Sequence, residues 1–134
     1  MMELKDKVKS YQRFLKADER GWFMKAITGF EDEISADIGE IYFTAAIPGQ
    51  VKGKHYHIKA NEWFTLIVGK AVLVLEDVNT KERMELVLDS QSPQTVHIPP
   101  LVAHAVENRY NSDFILCAYT DLRYDPKDTI AYNL

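Results

Sequence analysis

Hydrophobic positions in this chain come in short runs rather than at helical spacing. The stretches GWFMKAIT, GEIYFTAAI, KGKHYHI, EWFTLIVG, KAVLVLEDV, RMELVLD, TVHIPP, HAVENRY and DFILCAYTD are mostly rich in aromatic and β-branched residues, the usual content of β-strands. Between them stand PGQ, VGK, VNTKER, SQSP and YNSD, each built from turn-forming residues. Strands so closely spaced predict an all-β protein, an antiparallel sandwich or barrel. Several runs are apolar on both faces, as happens when a second sheet or a partner subunit covers a strand's outer side. The preceding KDKVKSYQRFLKADER is too irregular to assign and reads as a minor N-terminal helical or extended segment. No repeat or linker interrupts the pattern, so residues 1–134 read as a single domain.

At 134 residues the chain is long enough to bury a core without disulfides or a structural metal. A net charge of -4 argues against general binding to nucleic acid or a membrane surface, while leaving room for a local basic pocket. The single cysteine, Cys117, excludes an internal disulfide and fits a reducing compartment. Within the apolar run FILCAY it reads as a packed core thiol. No segment approaches the roughly 20 apolar residues of a membrane span. The opening MMELKDKVKS lacks the apolar centre of a signal peptide, so a cytoplasmic location is the expectation.

The chain holds only four histidines, and two of them are a single residue apart. If KGKHYHI is a strand, His55 and His57 project from one face, because side chains alternate with period two. Glu62 then arrives after a short turn, and His104 follows the proline-marked turn IPPLVAHAVEN. Three imidazoles and a carboxylate suit a divalent ion, Zn²⁺ first, with Fe²⁺, Mn²⁺ or Ni²⁺ as alternatives. The plainer reading makes them polar pocket groups without a metal. His97, in TVHIPP, reads as an ordinary strand histidine, and Trp22 and Trp63 as packing residues.

Gly49, His55-x-His57, Glu62 and Gly69 reproduce the spacing of the first motif of the cupin superfamily. Pro99-x-Leu101-x-x-His104-x-x-x-Asn108 resembles the second, with Leu101 where a glycine is usual. The resemblance implies a double-stranded β-helix, a jelly-roll-like barrel with its site inside. Two flanking segments narrow it. ADERGWFMKAI (Ala17 to Ile27) and YTDLRYDPKDTIAYN (Tyr119 to Asn133) look like the ends of dTDP-4-dehydrorhamnose 3,5-epimerases, and VKGKHYH resembles their R-G-x-H-Y motif. The layout is also similar to sugar-nucleotide ketoisomerases. It is most similar to the cupin domain of bifunctional capsular-polysaccharide UDP-sugar epimerase/reductases, a group with HYH, the following glutamate and a metal site. Two departures stand out: the rhamnose epimerases usually lack the full metal set, and their motif arginine is Lys52 here.

This resemblance implies an epimerase or isomerase of a 4-keto nucleotide sugar, active in polysaccharide or deoxysugar synthesis and working as a homodimer. His55 matches the family's base, which conflicts with service as a metal ligand through the same nitrogen; the sequence leaves both open. Tyr119 and Tyr124 are the candidate proton donors. Arg20, Lys52 and Lys54 are the candidate diphosphate contacts. A dioxygenase-like metal cupin and a non-catalytic sugar-binding cupin are the competing readings.

Overall fold

The computed structural model describes residues 2–134. The irregular N-terminal segment is part helix and part strand: one turn, α1 (Leu4–Lys7), then β1 (Lys9–Gln12). β2 (Lys16–Asp18) and β3 (Gly21–Phe23) form a separate hairpin. β4 (Glu40–Ala46), β5 (Val51–His57), β6 (Glu62–Val68), β7 (Lys70–Asp77) and β8 (Arg83–Asp89) follow. The chain then makes β9 (Gln94–Ile98), β10 (Val102–Glu107), β11 (Phe114–Thr120) and the short β12 (Thr129–Ala131).

Two five-stranded antiparallel sheets face each other, ordered β1-β9-β6-β11-β4 and β12-β5-β10-β7-β8. From β4 onward consecutive strands lie in opposite sheets, except β7 and β8, which pair as a hairpin. That alternation winds the chain into a double-stranded β-helix. Inward-facing Phe64, Leu66, Leu73, Leu75, Phe114 and Leu116 are buried between the sheets. Each such side chain contributes about 1.5–3 kcal/mol by leaving water. Polar inward residues gather at the border of this apolar fill, where β4, β5, β6 and β10 meet and Phe64 packs edge-on against His104.

Every run read as a strand contains one, though GWFMKAIT is strand only over its first three residues. The chain then leaves the hairpin and crosses the outer face of the first sheet. Thr95 donates to the Ala26 carbonyl at 2.6 Å, and the Glu31 carboxylate accepts from the N–H groups of Thr28 and Gly29. Tyr119 donates to the Ser35 carbonyl at 2.8 Å. Underneath, Trp63 stacks on His97 and is only 1 % exposed, so this strand's two-sided burial comes from its own chain. Trp63 and His97 are thus packing residues, with His97 Nε2 bonded to Asn61. Cys117 departs from expectation. It faces outward on β11 and is half-buried, because Leu116 and Ala118 take the inward positions.

Candidate functional site

The histidine strand is not regular. Opposite β10, Ala105 pairs with Gly53 and His104 with His55, so Lys54 is an extra residue in β5. Backbone φ angles of 96° at Gly53 and 68° at Lys54 complete this β-bulge. A side chain at Gly53 would stand 2.9 Å from the His104 carbonyl oxygen, so both the conformation and the close approach call for glycine. The bulge also resets parity. Lys52, opposite inward-facing Val106, shares the inner face with His55 and His57, whereas strict alternation would turn those histidines out. Leu101 adopts the glycine conformation of its motif, with φ 68°, so the turn before β10 keeps its geometry at a strain of about 1–2 kcal/mol.

His55, His57, Glu62 and His104 each offer one ligand atom, and these atoms all lie within 4.8 Å of one another. His57 Nδ1 lies 3.0 Å from the Asp128 carbonyl and His104 Nδ1 3.1 Å from the Val102 carbonyl. A carbonyl only accepts, so both Nδ1 atoms carry protons and both Nε2 atoms face inward. They converge on one oxygen, Glu62 Oε1, at 2.6 Å from His57 and 3.1 Å from His104. The His104 contact lacks hydrogen-bond alignment, which leaves its buried Nε2 without a partner. The other carboxylate oxygen accepts from Tyr42 at 2.9 Å. Two imidazole lone pairs and a carboxylate oxygen repel one another unless a cation lies among them. A proton on His57 relieves one contact; a divalent ion relieves all of them at once. The donor set fits such an ion, and the anchored Nδ1 atoms are the outer bonds that ligating histidines ordinarily make. His55 has no hydrogen-bond partner among the described residues.

The charges follow. Burial, then the neighbouring His104 and His57, bring His55 down to about 4 from 6.5, so it is a neutral imidazole. Burial also pulls His57 down, but the Glu62 hydrogen bond and charge outweigh it and raise the ring above 6.5. Burial pushes Glu62 up, and the adjacent His104 and His57 rings, in their protonated forms, more than reverse this, holding it well below the usual carboxylate range. Burial and the Glu62 charge push the Tyr42 phenol far up. In chelator-treated protein, ring NMR should therefore find His55 titrating near 4 and His57 above 6.5. Between about 4 and 6.5 the unfolded chain binds more protons at His55, so that ring destabilises the fold as pH falls through this window. His57 works oppositely: its gain is complete below 6.5 and is lost as pH rises through its higher folded value. The reverse order of titration would contradict this electrostatic picture.

His55, His57 and Glu62 form a wall of a cavity of about 300 Å³, lined also by Glu40, Tyr42, Leu122, Arg123 and Tyr124. His104, with His55, lines a smaller cavity of about 180 Å³ that reaches Lys52.

The chain matches the model of the polysaccharide biosynthesis C-terminal domain over residues 16–132. It belongs to that family. It is 25% identical over 123 residues to a UDP-2-acetamido-2,6-beta-L-arabino-hexul-4-ose reductase of Pseudomonas aeruginosa, covering 92% of this chain and 32% of the reductase. It is also 25% identical over 126 residues to the spore coat polysaccharide biosynthesis protein SpsL of Bacillus subtilis, 90% and 83% of the two chains. This chain therefore spans about a third of the reductase and most of SpsL. Among solved structures, a dTDP sugar isomerase from Desulfovibrio desulfuricans superposes with a TM-score of 0.85 at 20% identity, over 94% of this chain and 83% of that one. The capsular polysaccharide assembling protein CapF of Staphylococcus aureus superposes at 0.69 with 28% identity, over 92% and 33%. The fold of this polysaccharide biosynthesis C-terminal domain is that of the cupins.

Within the domain, the candidate residues separate. Tyr124 stands exposed at the rim of the larger cavity, its N–H donating to Glu40 at 3.1 Å. Tyr119 lies on the outer face of β11, with its hydroxyl engaged by the Ser35 and Asp37 carbonyls, and does not meet the histidines. Arg20 sits on the hairpin, paired with Asp18 at 2.7 Å, and lines a separate depression with Trp22 and Phe23. Lys52 borders the smaller cavity, while Lys54 lines neither. Tyr42, Arg123 and Asp128 escaped the reading of the sequence. Tyr42 had a strand position as its only signal, Arg123 and Asp128 their place in the YTDLRYDPKD segment. Among the described residues, no helix is long and apolar enough to cross a membrane.

Proposed function

We propose that this domain is a metal-binding epimerase or isomerase of a 4-keto nucleotide sugar. The observation that carries the reading is the convergence of two anchored imidazoles on one buried carboxylate, beside an unanchored, neutral third imidazole. The names of its relatives agree, since one acts on a hexul-4-ose joined to UDP and another structure is a dTDP sugar isomerase. His57, Glu62 and His104 would hold the ion, Zn²⁺ by first choice. A bound divalent ion would supply Lewis acidity at the ketone oxygen.

The remaining work falls to the chain's own side chains. The ketone acidifies the C–H bonds beside it, and His55 Nε2 or Nδ1, neutral and free of other bonds, takes that proton. Tyr124, exposed at the rim of the same cavity, is the group to return a proton on the other face or at another carbon. Arg123 and Lys52, with no ion pair among the described residues, are the cations available to a diphosphate. Arg20 takes part only if the hairpin of one copy reaches the cavity of another. A homodimer belongs to this reading. Ile41 and Phe43 are exposed on the edge strand β4, and Trp22 and Phe23 on the hairpin. Sedimentation showing only a 15.4 kDa species at micromolar concentration would remove the dimer.

The deciding experiment is incorporation of solvent deuterium beside the ketone of UDP- and dTDP-4-keto sugars. Exchange is expected with wild-type protein. His55→Asn should lower it by about 100-fold or more while leaving the bound metal in place, as fits loss of a general base. A sugar that binds without exchanging would leave the sugar-binding reading. The anchored pair of histidines plus one carboxylate is also the ligand set of non-haem iron oxygenases. Oxygen consumption on iron loading, without deuterium exchange, would favour that second reading.

A further inference from the structure

The tie between the cluster and the C-terminal segment runs through one residue. The buried carboxylate of Asp128 accepts three consecutive backbone N–H groups: Ile58 at 3.0 Å and Lys59 at 2.8 Å on Oδ1, and Ala60 at 3.1 Å on Oδ2. Its own carbonyl accepts Nδ1–H of His57 at 3.0 Å. The next residue, Thr129, pairs with His57 in the β12–β5 ladder. Residues 58–60 are the turn that leads from His57 to Glu62. One side chain therefore holds that turn, and the same residue's backbone holds the imidazole that precedes it. No lysine or arginine pairs with this carboxylate among the described residues, and its bonds go instead to the turn.

We propose that Asp128 is a positioning residue for the four-residue cluster. Its carbonyl selects the Nδ1–H tautomer of His57 and so commits Nε2 to face Glu62. Its carboxylate fixes the turn and thereby the separation of His57 from Glu62. A carbonyl orients a ring only if the carbonyl is itself held, and the three N–H bonds hold this one. Coupling of this kind is reciprocal: a cation on His57 and Glu62 strengthens docking of the Asp125–Ala131 segment as much as docking strengthens the cation's binding. The inference rests on the metal-binding reading above, but the tautomer it assigns to His57 does not.

The test compares full-length wild-type protein with Asp128→Ala, Asp128→Asn and Glu31→Gln. Glu31 is the control, a buried carboxylate that also accepts backbone N–H groups but pairs with Arg13 and lies on the outer face of the first sheet. Calorimetric titration with Zn²⁺ should show Asp128→Ala weakened by about 10–100-fold, the usual effect of removing an outer partner of a ligand. Asp128→Asn keeps the oxygen facing Ile58 and Lys59 and should fall between, which also serves if the alanine variant fails to fold. Glu31→Gln should lower thermal stability without moving the zinc affinity. In chelator-treated protein, at a pH where the ring is neutral, ¹⁵N spectra should show His57 as the Nδ1–H tautomer, with mixed tautomers in Asp128→Ala. Unchanged zinc affinity together with an unchanged His57 tautomer in the Asp128 variants overturns the proposal. Wild-type protein that takes up no zinc overturns the metal reading instead, and the tautomer spectra then decide the positioning role alone.

Discussion

Glu62→Ala should abolish stoichiometric metal uptake and, with it, deuterium exchange on a 4-keto sugar. Glu62 is the one anion of the cluster and is 2 % exposed. A divalent ion among three neutral imidazoles alone would bring two uncompensated charges into a buried site, where unpaired charge is costly. Outer partners of ligands already contribute about 10–100-fold to affinity, so loss of the carboxylate itself should exceed about 100-fold. Glu62→Gln separates charge from volume. It fills the same space and still accepts from Tyr42, yet it should lose the metal equally. Both variants should also strip His57 of the partner that raises its pKa. Dialysis against zinc followed by elemental analysis reads the first effect, and a near-stoichiometric ion in either variant would sink the ligand assignment.

Gly53→Ala should lower stability by about 2–4 kcal/mol, combining about 1–3 kcal/mol for an overpacked contact with about 1 kcal/mol or more for a left-handed backbone. The new methyl would press on the His104 carbonyl at 2.9 Å, and φ 96° is uncomfortable for alanine. The chain can relieve the clash only by moving β5 away from β10, which separates His55 from His104. A lower urea midpoint with weaker zinc binding is the expected pair of results. Lys54, the extra residue beside it, should respond in the opposite direction, since glycine relaxes its φ of 68°. A Gly53→Ala protein with an unchanged midpoint and unchanged zinc affinity would show that the bulge does not constrain the site.

Much of this molecule is written in local pattern. Alternation along HYH puts His55 and His57 on one face whatever the rest of the chain does, because strand geometry has period two. The turn before β10 survives Leu101 because the surrounding ladder imposes on leucine the conformation a glycine would take freely. Strand runs such as EWFTLIVG and KAVLVLEDV were legible because burial on both sides demands apolar residues throughout. The same property hid the orientation of FILCAYT: with apolar residues on both faces, nothing in the run says that Tyr119 points out and Ala118 in. Only pairing with β4 and β6 decides it.

Pairing likewise decides which lysine enters. The extra residue at Lys54 exists only because β5 meets β10 in a shifted register, and that shift brings Lys52 and His55 to one face. Arg20, assigned by motif to the substrate, is carried off by a hairpin that joins neither sheet. Asp128 is the clearest case. Its partners lie 68 to 71 residues away, and no local signal marks an aspartate in a polar segment as the holder of a distant turn. Residue type and parity follow from the covalent backbone, so the sequence alone determined the strands and the four chemically suited side chains. Which of them touch depends on sheet order and register, and those are settled only when the whole apolar interior packs at once.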